Sequence, residues 1–129
     1  MALTRLGTNA ITALPAIDGS TLTGLAKEIG DGQTWSNETS NRSANTTYTN
    51  STGQAIQIVI GVYFRHTNGN LGGNPTLTID STQLNHMWTT ASGGTQNEFP
   101  FIAIVPAGST YELEFTDSNA SLQRWLELS

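Results

Sequence analysis

The chain has 129 residues, of which 20 are Thr, 13 Gly, 11 Ser and 11 Asn, and it contains no cysteine. Because only 12% of the residues are charged, the composition argues against a bundle of long Glu- and Lys-rich helices, and the length suits a single domain without disulfides or thiolate metal sites. The formal net charge of −5 opposes binding to nucleic acid or to an anionic membrane surface.

Residues 1–32 are predicted to form an N-terminal arm. Aliphatic residues recur three to five positions apart, but Pro15, Gly19 and Gly24 interrupt the pattern before a helix or strand period is established. Several copies of the chain, or a groove on a partner, would bury so thin a stripe more easily than one chain alone. The residues assigned to attachment and oligomerisation are Leu14, Ile17, Leu22 and Leu25. The pattern also fits an N-terminal strand and loop that pack on the chain's own body.

No membrane insertion is expected anywhere in the chain. No window approaches the roughly 20 apolar residues of a membrane span, and residues 1–16 lack the basic, apolar and cleavage regions of a signal peptide. We therefore expect a soluble protein that is made inside a cell.

Residues 33–129 are predicted to form an all-β domain. In residues 54–65, Ile56, Ile58, Ile60, Val62 and Phe64 alternate with a second set that is only partly apolar. This pattern indicates a central strand with one face in the core and the other partly covered by a neighbouring layer or subunit.

Further strands are predicted at short intervals. Gly-, Asn- and Pro-rich turns separate them, notably residues 68–75, 92–94 and 106–108. The predicted strands are 45–49, 76–80, 84–90, 99–105, 110–116 and 121–128. So many short strands in about ninety residues favour an antiparallel β-sandwich or jelly roll with an extended N-terminal arm.

No catalytic, metal or cofactor site is predicted. Glu112 and Glu114 alternate with apolar residues on one strand, which is typical of a solvated strand face rather than of two carboxylates set across a cleft. His66 and His86, the only histidines, lack the spacing of metal ligands. There is no Gly-x-Ser-x-Gly elbow and no complete phosphate loop, so an enzyme is not expected.

A candidate ligand surface is predicted on the loops that follow the central strand and precede the strand at 99–105. Polar side chains can pair with sugar hydroxyls, and aromatic rings stack on sugar C–H faces. The candidates are His66, Asn68, Asn70, Trp88, Thr90 and Gln96. A large aromatic residue on a strand, such as Trp88, more often belongs to a core or a subunit interface.

Four segments resemble tail-fibre and virion-appendage proteins of tailed bacteriophages. Residues 14–25, LPAIDGSTLTGL, are similar to an "LP-x-x-DGS-x-LTGL" arm motif. Residues 42–56, RSANTTYTNSTGQAI, resemble the opening of their tip domains, residues 105–111, VPAGSTY, resemble a "VPAG-x-x-Y" turn, and residues 122–128, LQRWLEL, resemble a terminal "W-x-EL" strand.

The resemblance implies a homotrimeric β-sandwich tip that is displayed on the virion and often contacts the host surface. Together with the polar candidate surface, this predicts a host surface polysaccharide or another outer-surface ligand at the loops. The resemblance also implies that the arm binds other virion proteins, whether capsid, tail or fibre shaft. Related chains often carry a shaft, whereas this arm leads almost at once to the tip module. A capsid decoration protein or a tail or neck connector with no receptor-binding role is therefore the alternative.

Overall fold

The structure is a computed structural model that describes residues 27–65, 75–86, 96–116 and 120–129. Eight strands and no helix lie in these ranges. The strands are β1 (Trp35–Asn37), β2 (Tyr48–Thr49), β3 (Ile56–Arg65), β4 (Thr76–Ile79), β5 (Thr82–His86), β6 (Gln96–Val105), β7 (Thr110–Glu114) and β8 (Ala120–Leu128).

The strands form two four-stranded antiparallel sheets. The first sheet has the order β1-β8-β3-β6, and the second has the order β2-β7-β4-β5. Most connections cross from one sheet to the other, so that strands distant in sequence become neighbours. This order in two facing sheets is that of an eight-stranded jelly roll, and the predicted fold class is confirmed.

Strand β3 is central, as predicted. It pairs with β6 along its whole length, from Ile56 opposite Val105 to Arg65 opposite Gln96, and it pairs with β8 on its other side. The predicted inward set is fully buried at Ile58, Ile60 and Val62. The period of two therefore identified the core face of this strand correctly.

The core lies between the two sheets. The first sheet contributes the buried side chains Trp125 and Phe101, and the second contributes Leu77, Tyr111 and Leu113. On β7 the inward residues alternate with Glu112 and Glu114, which face outward as the sequence predicted.

The strand boundaries differ from the prediction at several places. The predicted strand at 45–49 is reduced to Tyr48–Thr49, because Asn45 has a φ of 59° and its backbone N–H and side-chain oxygen bind Leu113 and Phe115 instead of a regular ladder. Strand β6 begins earlier than predicted, at Gln96, and β5 begins at Thr82 and is described to His86. Strand β1 was not predicted, because three residues are too few to show a period.

The connections give the sandwich two distinct ends. At one end, hereafter the arm end, residues 27–34 lead into β1, and the short turns after β4 and β6 reverse the chain. At the other, the loop end, β3 is described to Arg65, β5 to His86, and β8 from Ala120 onward. Segments 66–74, 87–95 and 117–119 therefore all begin and end at the loop end.

A buried glutamine fastens the entering chain at the arm end. The side-chain Nε2 of Gln33 donates to the carbonyls of Ala55 at 2.9 Å and Leu128 at 3.3 Å, while its Oε1 accepts the backbone N–H of Gly30 at 2.6 Å. Thr34 and Ser129 exchange two backbone hydrogen bonds beside it. The direction in which the chain reaches the sandwich is thus fixed by specific contacts.

Candidate functional site

A buried carboxylate lies in the core at the end of β8. The strand alternates, so Trp125 and Glu127 point between the sheets while Leu126 and Leu128 point outward. Glu127 is only 5% exposed, although a carboxylate in an apolar core is costly unless it is fully paired. Its partners therefore decide whether this group is reactive or structural.

The Glu127 carboxylate is fully occupied by groups of the chain itself. Arg42 binds it bidentately, with Nε 2.9 Å from Oε1 and Nη2 3.0 Å from Oε2. The Tyr111 hydroxyl and the Trp125 indole N–H each donate to Oε1 at 2.9 Å. Such charge-assisted, bidentate contacts fix side-chain geometry strongly. We call Arg42, Tyr48, Tyr111, Trp125 and Glu127 the carboxylate cluster.

Aromatic rings enclose this cluster. The Arg42 guanidinium carbon lies 4.6 Å from the centre of the Tyr48 ring, and Tyr48 packs against Tyr111 and Trp125 with ring centroids 5.9 and 5.8 Å apart. The hydrogen bonds to Glu127 raise the pKa of Arg42, and burial together with the Glu127 charge raises the pKa of Tyr111 to about 12. Arg42 and Tyr111 therefore both remain protonated at neutral pH, which suits a structural anchor rather than proton transfer.

A second anchor is Asn50, which is 2% exposed at the arm end. Its Nδ2 lies 2.8 Å from the Gln54 carbonyl and 3.0 Å from the carbonyls of Val105 and Pro106. Its Oδ1 accepts hydrogen bonds from the backbone N–H and the hydroxyl of Thr52. The Asn50 backbone also exchanges hydrogen bonds with the 106–109 turn, donating to Ser109 and accepting from Gly108.

Three of the four motifs that carry the sequence resemblance meet at these two anchors. Arg42, Tyr48 and Asn50 come from the 42–56 segment, Tyr111 ends the VPAG segment, and Trp125 with Glu127 form the terminal W-x-EL element. The structure gives these residues a role in holding the sandwich together. The sequence alone does not reveal this role, because the pairing of Arg42 with Glu127, 85 positions away, is visible only in the fold.

A small polar cavity lies on the outer side of the second sheet, near the arm end. Its volume is about 150 Å³, and its lining residues are Thr47, Thr78, Asp80, Ser81, Thr110, Tyr111 and Glu112. Thr47 donates to Glu112, and the Thr110 backbone N–H donates to Asp80 at 2.8 Å. Hydrogen bonds from Ser109 and Thr110 lower the pKa of Asp80. The two carboxylates that line the cavity, those of Asp80 and Glu112, are thus already engaged by neighbouring hydroxyl and N–H groups.

The residues predicted to bind ligand or partners lie mostly outside the described residues. This holds for the arm residues Leu14, Ile17, Leu22 and Leu25, and for His66, Asn68, Asn70, Trp88 and Thr90. The exception is Gln96, whose backbone begins β6 opposite Arg65 at the loop end. Because the segments holding the other ligand candidates are joined to that same end, the topology brings their attachment points together.

The outer side of the first sheet is unexpectedly apolar. Ile102 and Ile104 on β6 are 62% and 55% exposed, and Trp35 on β1 is 50% exposed. Half-buried Val59, Leu126 and Leu128 share this side. We call these six residues the outer patch. The sequence predicted that the second face of β3 would be partly covered, but not that the patch would extend over four strands.

Comparison with known proteins adds no relative: no family model matches the chain, and neither the curated proteins nor the solved structures contain a match. Within the described ranges, no group of three or more His, Cys, Asp or Glu residues could hold a metal ion. The same part of the chain contains no helix long and apolar enough to cross a membrane.

Proposed function

We propose that this protein is a structural component of a bacteriophage particle, a trimeric tail-fibre-like appendage that contacts the host surface through the loop end of its jelly roll. The arm, residues 1–32, joins it to other virion proteins. The ligand class is a host surface polysaccharide, recognised by polar and aromatic side chains of segments 66–74 and 87–95.

The polarity of the sandwich is the observation that carries this proposal. Residues 27–34 reach the body at the arm end, where Gln33 and Thr34 are fastened beside Leu128 and Ser129. The two long segments bearing the ligand candidates leave from the opposite end, after Arg65 and His86. A protein anchored by its N-terminal arm would therefore carry these polar loops on the side away from its attachment.

The motifs that carry the resemblance have structural roles in this chain. They therefore support a framework shared with tail-fibre tip domains rather than a shared ligand. Arg42, Glu127 and Asn50 hold the core and the arm-end turns, and none of them lies in the loops. A framework of fixed anchors with variable loops is how many binding proteins are built, because connecting loops tolerate change that buried anchors do not. The fold alone does not decide function, so the loops must be tested directly.

Competition for adsorption tests the proposal. Purified full-length protein is added in excess to host cells before the phage, and the rate of phage adsorption is measured. We expect the wild-type protein to slow adsorption. A variant carrying Asn68→Ala, Asn70→Ala and Gln96→Ala at the loop end should lose this effect.

The matched control carries substitutions of similar polarity at exposed positions of the arm end, Ser51→Ala and Thr110→Ala, and should compete like the wild type. If a correctly folded wild-type protein leaves adsorption unchanged, host attachment is ruled out as its role. A density map of the particle that then places it on the capsid or at a tail junction would favour a decoration or connector protein.

A further inference from the structure

We draw no further inference here: the strongest candidate, the outer patch on the first sheet, is an exposed apolar face, and nothing in the described part of the chain shows what covers it.

Discussion

The first sheet is apolar on both faces, but the described chain covers them very differently. Its inner face is closed by the second sheet so completely that Ile58, Ile60 and Trp125 have no exposed surface, and even Glu127 is enclosed by partners. Its outer face leaves Ile102 62% exposed. Burial of apolar area contributes about 25 cal/mol per Å². The inner face therefore stabilises the fold of one chain, whereas the apolar area exposed on the outer face would contribute only if another surface covered it.

The largest effect is expected from Glu127→Ala on the inner face. Removing the carboxylate leaves the Arg42 guanidinium, the Tyr111 hydroxyl and the Trp125 N–H without their acceptor. Breaking a buried ion pair on one side costs about 3 to 5 kcal/mol, so urea unfolding should show a loss near that size. Glu114→Ala, at an exposed position of β7, should change the free energy of unfolding by less than about 0.5 kcal/mol. Equal effects of the two variants would contradict the anchoring role.

Substitution of one isoleucine on each face of the first sheet compares the inner and outer faces directly. Ile58→Ala on β3 should cost about 2 to 5 kcal/mol, because Ile58 is fully buried and a cavity remains. Ile102→Ala on the neighbouring strand should lower the free energy of unfolding by less than about 0.5 kcal/mol, because Ile102 is 62% exposed. Urea unfolding at low protein concentration measures both. A large loss for Ile102→Ala under these conditions would mean that the outer face already stabilises the single chain.

Asn50→Ala sharpens the comparison at the arm end of the inner face. The Asn50 side chain donates to three carbonyls and accepts from the Thr52 N–H and hydroxyl. Loss of these hydrogen bonds leaves buried polar groups unpaired. We expect a loss of about 2 kcal/mol in the free energy of unfolding. Asn41→Ala is the control, since Asn41 is exposed and its side chain donates to the exposed carboxylate of Glu38. A similar small loss in both variants would show that the Asn50 side-chain hydrogen bonds contribute little to stability.

The last prediction concerns alkaline pH. Because the pKa of Tyr111 is raised to about 12 in the fold, against about 10 in an unfolded chain, the folded state keeps this proton while the unfolded state releases it. Stability from this group is complete below about pH 10 and declines as the pH rises toward 12. Urea midpoints across this range should fall for the wild type and for Tyr63→Phe, and fall less for Tyr111→Phe. An equal fall in Tyr111→Phe would assign the pH dependence to other groups.

The sequence predicted the parts of the fold that depend on local pattern. Alternation in residues 54–65 and in residues 110–116 identified the inward faces of β3 and β7, and the predicted turn at 106–108 separates β6 from β7. It could not predict that Arg42 would reach Glu127, because a pairing across 85 positions leaves no periodic trace. Nor could it predict the outer patch, whose residues come from four strands and become neighbours only through the strand order.

The predicted ligand residues remain predictions, since Gln96 is the one member of that set within the described residues. What the fold adds is their common end: segments 66–74 and 87–95 both leave from the end opposite Gln33. This polarity gives the adsorption experiment its design, because it supplies control positions at the arm end of the same domain.

Hydroxyl-radical footprinting of Trp35 is the most direct test of the difference between the two faces. In a single chain Trp35 is 50% exposed, whereas Trp125 is fully buried and serves as an internal reference. We expect hydroxyl radicals to oxidise Trp35 readily in dilute folded protein, while Trp125 stays protected until the chain unfolds. Equal protection of the two tryptophans in dilute folded protein would contradict the difference between the outer and inner faces.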